Sequence, residues 1–268
     1  MGRFAESVGG MICFVGGGVG TADYLTVKAV RILRKADVVL YSKYLDRDVL
    51  KYCKKSCVLL CFSDMARKDV DGLLLKHSRK LVVYLANGDF ACYGTVQDHF
   101  DFCKKKNLRF DVVPGVSAVS ASSSVLSNEM VLPNISNSLI ITYMDADGNI
   151  LYDQKIEDLA KHNATLAVHM IEPFMYLKLQ SRLLVGGYSE DTPVIIVKEV
   201  LRKGQNIIYT TVGKMNEVID FSWMSIVLVG WVFADEKKRM EVSKLPFVNE
   251  FRKAEHYNVL VKGHCCEQ

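Results

Sequence analysis

Residues 11–20, MICFVGGGVG, place a short apolar run directly before four glycines in five positions. An apolar run that ends at glycines is typical of a buried β-strand leading into a loop. Helical spacing follows within residues 26–35, and a second β-rich run follows at residues 37–41. This order predicts a parallel α/β unit whose first loop lets a ligand approach the backbone.

The same alternation continues through the first half of the chain. Residues 81–85 and 110–113 are further β-rich runs, and residues 97–106 between them have helical spacing. A stretch of small residues at 117–124 then follows Pro114 and Gly115 and predicts a closely packed helix. Strands that alternate with helices in this way predict a parallel sheet with helical crossovers.

The second half has strands and helices of its own, which predict a second α/β domain with a mixed sheet. The β-rich runs are residues 139–142, 165–170, 193–200, 207–211 and 226–229, and the helical segments are 156–162 and 176–184. The predicted organisation is a first domain at 1–128, a linker at 129–137, a second domain at 138–235 and a charged extension at 236–268. Pro133 marks the linker, because proline interrupts regular elements.

Composition narrows the class of protein. Half of the 268 residues are hydrophobic, and the net charge is only +4. No apolar run reaches the roughly 20 residues that span a bilayer, and the start of the chain is unlike a secretory signal, so we expect a cytoplasmic protein without a membrane partner. Basic residues do not alternate with aromatic ones, which argues against nucleic acid. The eight scattered cysteines indicate reduced thiols, and none of their spacings predicts a metal site.

The glycine-rich loop fits neither of two common nucleotide-binding motifs. Counted from Gly16 or from Gly18, the third glycine of a dinucleotide-binding loop falls on Thr21 or Asp23. A phosphate-binding P-loop fails as well, since no Gly-Lys-Ser/Thr follows. The loop alone is compatible with either a ligand site or a tight turn.

Two further glycine-bearing loops also follow predicted strands. Residues 87–94, NGDFACYG, come after the run at 81–85, and residues 114–118, PGVSA, come after the run at 110–113. Ligands of parallel sheets bind beyond the carboxyl ends of the strands. Three such loops therefore predict one ligand site at this edge, although each alone is an ordinary turn.

These motifs resemble the tetrapyrrole (corrin/porphyrin) methylases. FVGGGVGTADYLTVKAVRILRKADVVLYS (14–42), LANGDFACYG (85–94) and VVPGVSAVSA (112–121) are similar to that family's first three blocks. LPNISNSLIIT (132–142), LAKHNATLAVHM (159–170) and LLVGGYSEDTPVIIV (183–197) are most similar to its precorrin-4 carbon-11 methyltransferases. The resemblance covers residues 11–230 in order.

The resemblance implies two α/β domains with a cofactor cleft between them, a homodimer, a small tetrapyrrole substrate, and S-adenosylmethionine that becomes S-adenosylhomocysteine. The residues that it implies for cofactor binding are Val19, Asn87, Gly88, Asp89, Cys92, Ser117, Ala118, Met170 and Val200. Asp89 is the candidate catalytic acid, expected to position the ligands, and Tyr93 and Tyr143 are candidate substrate contacts. His99 and His169 are further substrate-side candidates, for which a structural role is the alternative.

The sequence also departs from the family pattern. Val19 and Thr21 replace the proline and the acid of the first loop, and Phe90 replaces the proline of the second. Residues 143–148, YMDADG, stand where the carbon-11 enzymes carry an arginine-containing segment. The expected activity is methyl transfer to carbon 11 of precorrin-4, or of its cobalt form, in cobalamin biosynthesis. Methylation of uroporphyrinogen III and a catalytically weakened binding protein are the alternatives; a nicotinamide oxidoreductase is disfavoured by the glycine spacing.

Overall fold

Two five-stranded sheets form the framework of the protein in this computed structural model, which describes residues 10–91, 96–145, 150, 154–218 and 224–243. The strands are β1 Met11–Gly16, β2 Val38–Tyr41, β3 Val58–Cys61, β4 Leu81–Ala86, β5 Phe110–Val113, β6 Leu139–Tyr143, β7 Thr165–His169, β8 Pro193–Lys198, β9 Asn206–Thr211 and β10 Ser225–Val229. The α-helices are α1 Val27–Leu33, α2 Arg67–Lys76, α3 Gln97–Lys105, α4 Ala118–Leu126, α5 Ile156–Ala160, α6 Tyr176–Val185 and α7 Glu236–Ser243.

The first sheet has the strand order β3-β2-β4-β1-β5, and all of its neighbouring strands are parallel. Residues of β1 alternate between two apolar layers: Cys13 and Val15 pack with α1, whereas Ile12 and Phe14 pack with α2 and α3. The helices that follow β1 and β4 thus lie on opposite faces. Where the connections that leave two neighbouring strands go to opposite faces of a sheet, a crevice opens at the carboxyl ends of these strands. Open α/β sheets bind their ligands in this crevice.

Strand β3 and helices α2 and α7 were not predicted from the sequence. β3 is an edge strand of four residues, and its Val58 and Leu59 are 45% and 42% exposed. Its sequence, VLLC, is a fully apolar run, although an edge strand of this length buries little of it.

The second sheet is mixed, as predicted, with the order β6-β7-β10-β8-β9. β6 and β7 are parallel, and every other pair is antiparallel. β6, β7 and β8 therefore run in the same direction and end at the same edge. β7 and β8 stop earlier than the sequence predicted, because Met170 (φ 58°) and Glu199 (φ 41°) are left-handed and cannot continue a strand.

An apolar cluster joins the two halves of the chain. We call it the junction cluster; its buried members are Val19, Val119, Ala121, Met130, Ala167, Ile195, Val197, Val200, Ile226 and Leu228. They come from the first glycine loop, from α4 and the residues after it, and from one face of the second sheet. The small-residue helix predicted at 117–124 is α4, whose Val119 and Ala121 pack in this cluster.

The predicted linker contains an ordered turn. Leu132 and Ser136 form an isolated antiparallel bridge, and Asn134 between them has φ 64°. The Ser136 hydroxyl accepts a hydrogen bond from the Thr165 backbone at 2.8 Å, which ties this turn to the start of β7. Within the described ranges, no helix is both long and apolar enough to cross a bilayer.

Candidate functional site

Backbone hydrogen bonds join the first two glycine loops. The amide of Gly17 donates to the carbonyl of Ala86 at 2.7 Å. Gly18 and Gly88 then exchange two hydrogen bonds, of 3.1 and 2.8 Å, and form an antiparallel bridge. Both glycines have left-handed φ angles, 70° and 71°, which residues with a Cβ rarely adopt. The sheet thus extends by one bridge beyond its carboxyl edge.

Three glycines from the three loops meet at this edge. A Cβ built on Gly115 would lie 2.2 Å from the carbonyl oxygen of Gly88 and 2.7 Å from that of Gly16. A Cβ on Gly16 would lie 2.6 Å from the nitrogen of Gly115. All of these neighbours are backbone atoms, which cannot swing aside as a flexible side chain does. The convergence predicted from strand order is therefore a direct contact of three chain segments.

Asp89 fastens the second loop to the third. Its Oδ2 accepts the amide hydrogen of Gly115 at 2.8 Å, and its Oδ1 accepts that of Ala91 at 2.8 Å. Both carboxylate oxygens are therefore engaged by backbone N–H groups that hold the side chain in place. This arrangement supports the positional role expected for Asp89 and gives no support to a role as a base.

The structure also gathers three candidates around the junction cluster. Val19 and Val200 are each 7% exposed and belong to the cluster, and Ala118 packs against it. Ser117 precedes them as the N-cap of α4, where its hydroxyl accepts the amide hydrogen of Ser120 at 3.2 Å. Residues more than 180 positions apart thus share one apolar surface beside the glycine loops.

Strained backbone marks the opposing edge of the second sheet. Met170 follows β7, and Glu199 and Leu201 follow β8, with φ angles of 58°, 41° and 60°. Long side chains in left-handed conformations cost free energy and cluster at functional sites. Leu201 also reaches the first loop: a Cβ on Gly20 (φ 87°) would lie 2.5 Å from the Cβ of Leu201. The carboxyl edges of both sheets therefore meet at this point.

His169 and Tyr143 lie side by side at the ends of β7 and β6, as partners in the sheet register. His169 shares a sheet face with Ala167 of the junction cluster, and its buried Nε2 has no hydrogen-bond partner in the described structure. Burial lowers the pKa of this imidazole. His99, by contrast, is a buried residue of α3, and its Nδ1 lies 2.6 Å from a carboxylate oxygen of Asp71 in α2, which favours the structural role.

Cys92 and Tyr93 lie outside the described residues. Among those described, the space above Gly88 is open, since a Cβ placed there meets only Cγ1 of Val19, at 3.9 Å. The glycine loops, the apolar junction cluster and the Asn87 amide together fit a ligand with polar and apolar parts. S-adenosylmethionine has this character, with an amino-acid end and a nucleoside end.

A separate open cavity of about 790 Å³ lies along β9. Its lining residues are Asn206, Ile208, Tyr209, Thr210, Thr211, Lys214, Glu217 and Val218. None of them belongs to the three glycine loops or to the strained turns. We therefore place the candidate site at the meeting of the two sheet edges.

Sequence reasoning missed Arg202, although it follows β8 at this same edge. Its side chain crosses to the first half of the chain and contacts Asn87 and Tyr44. A glycine two residues later, Gly204, was the only sequence signal of a turn there. Contacts over such separations leave no local pattern.

Comparison with known proteins agrees with this architecture. Residues 11–216 match the family of tetrapyrrole (corrin/porphyrin) methylases. The cobalt-precorrin-4 C(11)-methyltransferase of Priestia megaterium is 28% identical over 89% of this chain and 96% of its own. A solved cobalt precorrin-4 methyltransferase superposes with a TM-score of 0.79, with 28% identity over 84% of this chain and 96% of its own. The uroporphyrin-III C-methyl transferase of Thermus thermophilus, solved with S-adenosylhomocysteine, has a TM-score of 0.72, with 22% identity over 83% of this chain and 98% of its own.

The chain belongs to the tetrapyrrole (corrin/porphyrin) methylases. The α/β class with two sheets and the family resemblance are both confirmed. The protein is accordingly an S-adenosylmethionine-dependent methyltransferase, as the sequence predicted.

Proposed function

We propose that this protein methylates carbon 11 of precorrin-4, or of its cobalt-bearing form, in cobalamin biosynthesis. The observation that carries the proposal is the similarity to cobalt-precorrin-4 C(11)-methyltransferase along nearly the whole length of both chains. The superposition on a solved enzyme of that name adds support. The glycine edge facing the strained turns of the second sheet is the site that we assign to this reaction.

We assign different residues of the site to the two ends of the cofactor. Gly88 and Asn87 of the second loop, with Asp89 holding that loop, would accommodate the amino-acid end. Val19, Ala118 and Val200 offer apolar surface for the nucleoside. Ser117 would contribute from the start of α4, and Met170 from the opposing edge. We assign Cys92 to the same group, on the family resemblance.

When bound, S-adenosylmethionine supplies an electrophilic methyl group and a neutral thioether as leaving group. The protein has little covalent chemistry left to do. Its loops align the acceptor carbon with the methyl group and exclude water. Alignment of this kind lowers the activation barrier of transfer reactions by a large amount. The close contact of Gly16, Gly88 and Gly115 makes this frame rigid.

The substrate side is assigned to Tyr143 at the end of β6 and to Tyr93. His169 lies beside Tyr143, and burial lowers its pKa, so its imidazole is neutral at pH 7. A neutral imidazole either donates or accepts a hydrogen bond, depending on its tautomer. We assign this pair to the substrate side of the second sheet. We further expect a homodimer.

A methyl-transfer assay tests the proposal. The purified protein is incubated with methyl-labelled S-adenosylmethionine and either precorrin-4 or cobalt-precorrin-4. We expect a labelled product one methyl heavier than the substrate. Gly115→Ala, which disturbs the loop contact, serves as the inactive control. No labelled product from either macrocycle would refute the assignment.

Uroporphyrinogen III is the second candidate substrate. The fold shared with a uroporphyrin-III C-methyl transferase favours testing it. The same assay then yields methylated uroporphyrinogen and unchanged precorrin-4. If none of the three macrocycles is methylated and S-adenosylhomocysteine still binds tightly, the chain is instead a binding protein of the family. The acidic segment after β6 is the reason to test this alternative.

A further inference from the structure

Arg202 joins the turn between β8 and β9 to two loops of the first sheet. Its Nη2 donates to the backbone carbonyl of Tyr44, after β2, and to Oδ1 of Asn87, after β4, at 3.3 Å. Its Nη1 lies 3.7 Å from the sulfur of Met224. The Arg202 side chain thus contacts Asn87, which is 115 residues away in the sequence, and Tyr44, which is 158 residues away. Both contacts lie where the two carboxyl edges meet.

The turn that carries Arg202 is held in a fixed shape. The Leu201 amide donates to Oε1 of Gln205 at 2.7 Å, and the Arg202 amide donates to the carbonyl of Glu199 at 2.9 Å. The contact of Leu201 with Gly20 presses the same turn against the first loop. Because backbone on both sides is restrained, the guanidinium is presented in a defined direction rather than sampling the solvent.

The charge of Arg202 is met by neutral groups. Within the described part of the chain, its side chain contacts a backbone carbonyl, an amide oxygen and a thioether, but no carboxylate. A half-buried cation with neutral partners creates a positive potential beside Asn87 and Gly88. An anionic group of a ligand placed there is attracted more strongly than it would be in water.

The contact also fixes the orientation of the Asn87 amide. A guanidinium has donors only, so it must bind the oxygen of the amide. The Asn87 NH2 group, which makes no hydrogen bond to any other described residue, is then free to donate two hydrogens. Asn87 is half-buried, so its NH2 remains accessible to a ligand. Two oriented donors beside a positive charge suit a carboxylate.

We propose that Arg202 is a positioning residue that orients Asn87 to recognise the α-carboxylate of the cofactor's amino-acid end. This inference rests on the cofactor site of the proposed function and adds to it a residue from the second half of the chain. Arg202 acts through Asn87 and through its charge.

Two ligands separate recognition of the carboxylate from general damage to the site. S-adenosylhomocysteine carries the amino-acid end, whereas 5′-methylthioadenosine retains the nucleoside and thioether without it. Calorimetry of the full chain with both ligands is compared for wild type, Arg202→Met, Arg202→Lys and Lys203→Met. Lys203 is exposed in the same turn and controls for loss of a positive charge.

We expect Arg202→Met to weaken S-adenosylhomocysteine about 10-fold or more, which is the usual cost of losing a hydrogen bond to a charged group. Binding of 5′-methylthioadenosine should change by less than about twofold, with Arg202→Lys in between and Lys203→Met near wild type. A KM increase for S-adenosylmethionine at nearly unchanged kcat is the matching kinetic result.

Equal losses for both ligands would overturn the inference, since they would show that Arg202 only supports the fold. Unchanged binding of S-adenosylhomocysteine would overturn it as well. If Arg202→Met fails to fold, Arg202→Lys decides with the same ligand pair. Wild-type protein that binds S-adenosylhomocysteine but methylates no precorrin-4 would contradict the proposed substrate and leave this inference standing.

Discussion

The two sheet edges that form the candidate site are built in opposite ways. The edge of the first sheet consists of glycines in mutual backbone contact, and two of them, Gly18 and Gly88, take left-handed conformations without strain. The edge of the second sheet places Met170, Glu199 and Leu201 in the same region of backbone space, at a cost. One edge therefore offers backbone, and the other offers side chains.

This difference indicates a division of labour. Backbone groups give a ligand a rigid surface of the same shape whatever the neighbouring side chains are. We expect side chains such as Arg202 and His169 to distinguish one ligand from another through their charge and hydrogen bonds. The strained turn after β8 carries Leu201, which lies against Gly20, and Arg202, which contacts Asn87.

Gly115→Ala should produce the largest effect. The new Cβ would lie 2.2 Å from the carbonyl oxygen of Gly88, so the loops must separate. We expect a loss of about 3 kcal/mol in unfolding free energy and no measurable binding of S-adenosylhomocysteine. Thermal melts and calorimetry measure both. Gly72→Ala in helix α2, where a Cβ meets nothing within 4 Å, is the matched control and should be slightly stabilising. Normal binding by Gly115→Ala would contradict the description of a rigid backbone edge.

Asp89→Asn should come next. The amide keeps one acceptor but turns an NH2 group towards the amide hydrogen of Gly115 or Ala91. We expect a loss of about 2 kcal/mol in stability and weaker binding of S-adenosylhomocysteine. Asp64→Asn removes an exposed carboxylate paired with Lys43 and should leave both unchanged. A fall in kcat with unchanged cofactor affinity would show instead that Asp89 acts as a base.

Met170→Gly tests the strained edge. Relief of the left-handed conformation is worth about 1–2 kcal/mol, and the added freedom of glycine in the unfolded chain costs about 0.5–1 kcal/mol. Since the Met170 side chain is 55% exposed, little burial is lost. We expect unfolding measurements to show a gain of about 0.5–1 kcal/mol, together with weaker cofactor binding. Asn163→Gly, at φ 47° in a turn before β7, should change stability less and binding not at all. A lower stability of Met170→Gly would contradict the interpretation that the backbone at this edge is strained.

The smallest effect concerns acid sensitivity at His169. Burial lowers the pKa of this residue in the folded protein below its ordinary value of 6.5. Between the two values the unfolded chain binds more protons, so His169 lowers stability as the pH falls below about 6.5 and has no effect above it. His169→Phe should therefore flatten the decline in melting temperature between about pH 6.5 and pH 5. Exposed His162→Asn is the control; an unchanged acid limb in His169→Phe would contradict the prediction.

Much of the first edge could be predicted from the sequence. β1 and β4 are buried strands with dense apolar runs, both they and the edge strand β5 lead into glycine-bearing loops, and parallel strands place their carboxyl ends together. The edge strand β3 was not predicted, although its sequence, VLLC, is apolar throughout. The second edge was predicted less well, since Met170 and Val200 were placed in strands that end before them.

The sequence by itself determined the alternation of strands and helices, the three glycine loops and the family, because these follow from local apolar patterns and from motifs of adjacent residues. Only the tertiary structure decided that both carboxylate oxygens of Asp89 accept hydrogen bonds from backbone amides and that Arg202 contacts Asn87. Such contacts depend on how distant segments are oriented in space. Orientation of that kind is set by packing of the two sheets around the junction cluster, which no local stretch of sequence encodes.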